Sequence, residues 1–266
     1  MYLNFEGRQI HYAVEGEGRS LLFLSGLGMP LAGWQGIVSA LGPTYRAIRF
    51  DPPGSGGSDD PGQPFSVADM ARTAEALLEA LSVERPLLVA TSMGGFAALE
   101  MALRRLSSVE GMVLFGTASR LEGQGRFQIE TWRRLRREGV SPESLLRIQL
   151  GATLPPALFA DPARLEAMIA FFLAHRDVFG QSDEGFLAQS RACLDFDRDD
   201  RLGEIAVPAL LVAGGEDRMV RPEEVRSLHR HLRESRFEIL PDGGHALAVT
   251  ESPAMARMIA AFAVSL

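Results

Sequence analysis

The sequence contains no lysine: all 27 basic residues of its 266 are arginine. A Schiff-base lysine is thereby excluded, and with it pyridoxal phosphate chemistry. A P-loop of the usual kind, which sets a lysine on the phosphates, is excluded too. Cysteine is almost as scarce, and the single Cys193 cannot form an internal disulfide. No uninterrupted apolar run reaches about 18 residues, so no membrane span is expected. The opening Met1-Tyr2-Leu3-Asn4-Phe5-Glu6 has no basic head followed by an apolar stretch, so no signal peptide is expected and the cytoplasm is the expected compartment. Positive charge is in deficit as well. A net charge of −7 argues against a general nucleic-acid binder, which needs a positive field facing phosphate. No repeat or low-complexity segment is visible.

What is present is a rhythm. Segments 3–5 and 9–15 read as an opening hairpin, and 21–25 and 45–50 as further strands. Residues 67–81 carry Val67, Met70, Ala74, Leu77, Leu78 and Leu81 on one helical face. Strand, helix and strand follow at 86–90, 93–105 and 109–115. After Gly116 the alternation stops, and 119–202 shows helical patterns without a buried strand. It resumes with strands at 209–213 and 236–240 and helices at 222–232 and 254–262. The expected organisation is an α/β core of residues 1–118 and 203–266, with parallel strands and covering helices. Residues 119–202 form a helical cap inserted in that core, resting beyond the carboxyl ends of the strands, where such sheets bind ligands.

The strand ends carry the candidate chemistry. In Leu87-Leu88-Val89-Ala90-Thr91-Ser92-Met93-Gly94-Gly95-Phe96 an apolar strand meets a serine and leaves as a helix. Ala90 and Gly94, two residues to either side, are small enough for a sharp turn that exposes Ser92. A helix-capping serine is the other reading of this segment taken alone. Asp217 follows the strand at 209–213, with Glu216 and Asp242 as rival acids, and His245 follows the strand at 236–240 between glycine and alanine. Ser, Asp and His thus come in sequence, each after a strand. A serine hydroxyl needs a base in contact, imidazole is suited to that work, and a carboxylate fixes the imidazole tautomer. The other histidines, His11, His175, His229 and His231, have ordinary structural readings. Acyl transfer also needs oxyanion donors, for which the N–H groups of Met93 and of Leu27, in the turn Ser25-Gly26-Leu27-Gly28, are the candidates.

With those residues in place, the chain resembles the α/β-hydrolase fold superfamily, in particular its cap-bearing carboxylesterases, enol-lactone hydrolases and carbon–carbon bond hydrolases. Asp51-Pro52-Pro53-Gly54-Ser55-Gly56-Gly57-Ser58 fits a loop motif of that group, and Ser92, Asp217 and His245 occupy its triad positions. The resemblance implies a mostly parallel eight-stranded sheet flanked by helices, with an inserted helical cap, and a serine hydrolase without metal or cofactor. Two positions depart from the pattern. Ala90 replaces the first glycine of the serine turn, and Ser25 stands where histidine is usual. A serine nucleophile sets the chain apart from haloalkane dehalogenases and epoxide hydrolases, and the lack of lysine from hydroxynitrile lyases.

The expected partner is a small ester or lactone, with Gly26, Trp132 and Phe127 as candidate substrate contacts. The same triad also fits a thioester on an acidic carrier protein, carbon–carbon hydrolysis, or a ligand-binding member that does not hydrolyse. The run Arg133-Arg134-Leu135-Arg136-Arg137 reads as a solvated helix face, or as the dock for such a carrier. Cys193 reads as a small buried hydrophobe. A monomer or homodimer is expected, with no nucleic acid and no membrane among its partners.

Overall fold

Strands covered by helices on both faces need apolar side chains pointing both ways, and Leu87–Thr91 and Gly111–Phe115 are buried at every position. In the computed structural model, which describes residues 1–62, 64–104 and 108–266, these are the central strands of an eight-stranded sheet. The chain opens with β1 (Tyr2–Phe5), β2 (Arg8–Glu15) and β3 (Arg19–Leu24), then α1 (Gln35–Leu41), β4 (Tyr45–Phe50) and α2 (Val67–Ala80). The central β5 (Leu87–Thr91), α3 (Met93–Arg104) and β6 (Gly111–Phe115) follow. Next come α4 (Gly123–Arg137), α5 (Pro142–Thr153), α6 (Pro162–Ala174), α7 (Arg176–Phe179) and α8 (Asp183–Asp195), called the cap below. β7 (Ala209–Gly214), α9 (Pro222–His231), β8 (Ser235–Leu240), α10 (Leu247–Thr250) and α11 (Ser252–Ser265) complete the chain.

The strand order is β1-β2-β4-β3-β5-β6-β7-β8. β1–β2 and β2–β4 pair antiparallel, and every other pair is parallel. Alternation along each strand sorts the core into two layers. Leu22, Leu24, Ile48, Phe50, Leu88 and Ala90 face one way, onto α2, α3 and α9. Leu21, Phe23, Leu87, Val89, Val113 and Phe115 face the other, onto α1 and α11. The cap continues the first layer through Leu121, Ile129, Trp132, Leu145, Phe186 and Phe196.

Most expected elements are present with ends moved by a residue or two. The strand expected over 109–115 begins at Gly111, and the last helix is longer than 254–262, running Ser252–Ser265. The helix expected over 93–105 reaches Arg104, and Arg105 lies outside the described residues. Helix α1 had no expectation behind it. Its sequence, Gln-Gly-Ile-Val-Ser-Ala-Leu, has weak helix propensity, and burial of Ile37 and Val38 in the second layer with α11 residues such as Met255 and Ile259 overrides it. Among the described residues, no helix is long and apolar enough to cross a membrane.

Candidate active site

Ser92 sits at the turn from β5 into α3 with φ of 51°, a left-handed conformation that costs an L-residue about 1–2 kcal/mol. The surroundings hold it there. Its N–H donates to the Phe115 carbonyl (3.0 Å), and its own carbonyl accepts from Gly95 N–H (2.8 Å) and from the Thr117 hydroxyl (2.9 Å). Gly94 is required by close approach: a Cβ there would collide with the Leu24 carbonyl. Ala90 is fully buried in β5, where its methyl fits without disturbing the turn.

Asp217 lies in the loop after β7 and is 3% exposed. One carboxylate oxygen accepts from the N–H groups of Met219 (2.8 Å) and Val220 (2.9 Å), and the other from His245 Nδ1 (2.8 Å). With that acceptor in place the ring proton resides on Nδ1, leaving the Nε2 lone pair for Ser92 Oγ at 3.0 Å. The three residues therefore form one unbroken hydrogen-bond chain. Burial on its own pushes the His245 imidazolium toward losing its proton, but the adjacent Asp217 charge and hydrogen bond outweigh it, and the net pKa is raised. Glu216 and Asp242, the rival acids, are exposed.

The remaining histidines bond elsewhere. His11 Nδ1 meets Asp51, His175 Nδ1 the Phe171 carbonyl, His229 Nδ1 the Ser235 hydroxyl, and His231 Nδ1 the Ser227 carbonyl. Asp51 itself organises the loop after β4, accepting also from Leu31 N–H (2.6 Å) and Gly57 N–H (2.8 Å).

On the oxyanion side, Ser25 is fully buried and its hydroxyl accepts from Trp34 Nε1 (2.9 Å). That bond anchors the loop at the position where the resemblance leads one to expect histidine. Beyond it, Met29 N–H closes a turn onto the Gly26 carbonyl (3.1 Å). Gly26 lies against the serine, since a Cβ on it would stand 3.3 Å from Ser92 Cβ. Among the described residues, no acceptor engages the N–H of Leu27 or of Met93. Met93 directly follows Ser92, and Leu27 follows the Gly26 that packs on it; unengaged N–H groups in such places suit a developing oxyanion.

The cap candidates separate. Trp132 is 5% exposed and packs in the main apolar layer, its indole N–H without a partner among the described residues. Phe127 is 64% exposed and points to solvent, so the two do not share a pocket-lining face. The arginine run is not one solvated face either. Arg133 is buried against α8, donating to the Leu187 carbonyl and the Ser190 hydroxyl, and burial lowers its pKa first, with Arg137 and Arg191 adding to the effect. Arg136 meets Asp183 (2.6 Å) and lies over the Phe186 ring, while Arg134 pairs with Glu138 (2.7 Å) in solvent. Cys193 is buried, and desolvation pushes its thiol up to about 12.

Three contributors escaped the sequence reading. Gly116 (φ 52°) ends β6 beside the Asp217–His245 bond, and a Cβ there would stand 3.2 Å from Asp217 Oδ2. The Thr153 carbonyl, at the end of α5, accepts from the N–H groups of His245 (2.8 Å) and Ala246 (3.1 Å). Gln189 of α8 accepts from Gly28 N–H (3.0 Å). Only Gly116 carried a signal, a glycine at a strand end where the alternation breaks.

Residues 19–252 match a family described as the alpha/beta hydrolase fold. The chain is 30% identical over 259 residues to RutD of Variovorax paradoxus (strain S110), which carries the name of a carbamate hydrolase, with 95% of each chain covered. It is 24% identical over 235 residues to 3-oxoadipate enol-lactonase 2 of Acinetobacter baylyi, covering 87% of this chain and 84% of that one. Among solved structures, the enol-lactonase of Burkholderia xenovorans LB400 superposes with a TM-score of 0.88 at 25% identity, covering 99% of this chain and all of the other (100%).

Proposed function

The chain belongs to the α/β-hydrolase fold family and is a hydrolase, and we propose that it cleaves a carboxylic ester or lactone through an acyl-enzyme on Ser92. The observation that carries this reading is the chain of contacts from Asp217 Oδ2 through both ring nitrogens of His245 to Ser92 Oγ. In the first step the Ser92 hydroxyl gives its proton to His245 Nε2 as Oγ bonds to the substrate carbonyl carbon. The carbonyl oxygen takes up the electron pair and is held by the N–H groups of Leu27 and Met93, each worth about 2.7–4 kcal/mol in the transition state. His245, now imidazolium beside the Asp217 carboxylate, returns the proton to the departing alkoxide, and the carbon–oxygen bond breaks. Water then repeats the sequence on the acyl group: His245 takes a proton from water, the hydroxide adds, and Ser92 leaves with that proton.

The name of the Acinetobacter relative favours a lactone among the candidate substrates, and the name of the Variovorax relative adds carbamates to the acyl compounds worth assaying. A divided arginine run offers little to a carrier protein, so a small molecule is the better partner. The test is turnover on a panel of esters, lactones, acyl thioesters and carbamates, comparing wild type with Ser92→Ala. The expected result is hydrolysis of an ester or lactone that drops by at least about a thousandfold in the variant. Equal turnover by the two proteins contradicts the mechanism.

A further inference from the structure

Gln189 is fully buried in the middle of α8, and the hydrogen bonds of its side-chain amide run out of the cap. Its Oε1 accepts from Gly28 N–H (3.0 Å), and its Nε2 donates to the Pro53 carbonyl (2.8 Å) and the Ser55 hydroxyl (2.9 Å). The amide can face only one way. Gly28 supplies a donor and Pro53 an acceptor, so a flipped amide would set like against like at both ends. One cap side chain thus ties together the loop after β3 and the loop after β4.

The turn it grips is the one that carries the Leu27 N–H. Residues 26–29 close through Met29 N–H to the Gly26 carbonyl (3.1 Å), and Gly28 has φ of 70°, the conformation a type II turn needs at its third residue. The middle peptide of such a turn points its N–H away from the turn's own hydrogen bond, and here Gln189 takes it. Across the site the cap makes a second grip, since the Thr153 carbonyl holds the N–H groups of His245 and Ala246. Both sides of the reacting centre are therefore fixed from above.

We propose that Gln189 is a positioning residue: from the cap it holds the turn at 26–29 so that the Leu27 N–H meets the oxyanion, and the cap thereby completes the reaction site. The proposal rests on the reading of Ser92 and Leu27 given above. A donor displaced by about 1 Å loses most of its effect on the transition state while the substrate's ground-state contacts stay. Removing the clamp should therefore slow chemistry and spare binding.

Gln189→Met keeps the length and apolar bulk of the side chain and removes both its acceptor and its donors. On an ester that the wild type hydrolyses, kcat should fall at least about tenfold with KM within about twofold, and Ser92 phosphonylation by a fluorophosphonate should slow to match. The downfield proton resonance of the Asp217–His245 bond should persist, separating a moved oxyanion donor from a disturbed triad. Should the Met variant not fold, Gln189→Asn, which retracts the amide by one methylene, is expected to show the same loss. Folded Met or Asn variants with wild-type kcat overturn the proposal, as does a loss that falls on KM and leaves kcat unchanged. A wild-type Ser92 that takes up no phosphonate contradicts instead the hydrolase chemistry on which the proposal stands.

Discussion

The two sides of the candidate site are built differently. Below Ser92, the serine and Asp217 follow strands buried along their whole length and are held by groups of neighbouring core segments: the Phe115 carbonyl and the Thr117 hydroxyl for Ser92, the Met219 and Val220 N–H groups for Asp217. Above it, α4, α8 and Leu145 of α5 join the main core, whereas Leu150 near the end of α5, Leu154 just past it and Ile169 of α6 form a small cluster of their own. The outer part of the cap also leaves Phe159, Phe171 and Val178 more than a third exposed. One half of this cap is joined to the core and the other is thinly attached, so the outer half is expected to open locally at lower cost. The contrast teaches that α4 and α8 are parts of the core in packing, and that the α6–α7 half is the loosely packed one.

The largest expected effect breaks the lower side. Asp217→Asn keeps the shape and loses the charge, and should lower kcat by about 10³–10⁴. It should also move the pH profile. His245 must be neutral to accept the Ser92 proton, so activity falls as the pH drops through its pKa, which in the wild type is raised above the ordinary imidazole value. In the Asn variant the raising influence of the charge is gone and burial still lowers the pKa, so the acidic limb should shift to lower pH. A limb that stays in place while kcat collapses would detach Asp217 from the titration.

Stability measurements sharpen the same comparison. Leu88→Ala, at a fully buried position of β5, should cost about 2–5 kcal/mol in denaturant unfolding. Phe171→Ala, at a side chain 49% exposed on α6, should cost less than about 1.5 kcal/mol. Comparable losses at the two sites would mean that the outer cap is as firmly integrated as the sheet. The smallest effect concerns Cys193. With its thiol buried and pushed up to about 12, it should resist alkylation by iodoacetamide at pH 8 until the protein is unfolded. Prompt alkylation of the folded protein would show that α8 opens.

The lower side was legible because its residues announce themselves locally. Small neighbours around Ser92, and glycine-rich stretches before Asp217 and His245, mark strand ends where backbone must bend, and their chemistry follows from residue type. The cap offered no comparable marks. Trp132 and Phe127 stand five residues apart on α4, about 140° around a helix, so no single inner face takes both; which one turns inward depends on α8, far away in sequence. Arg133 turned inward for the same reason, its neutral acceptors all lying on α8. Gln189 was hidden more thoroughly. Its partners are 134 to 161 residues away, and a lone glutamine in a helix carries no periodic or motif signal. Side chains that act by bridging distant loops become readable only once the fold has brought those loops together.

The most direct test of the central claim is intact-mass and peptide mapping after exposure to a fluorophosphonate. The account predicts a single adduct on Ser92 in the folded wild type, and none in Ser92→Ala or in protein unfolded before exposure. An unmodified wild type, or an adduct that survives Ser92→Ala, would contradict it.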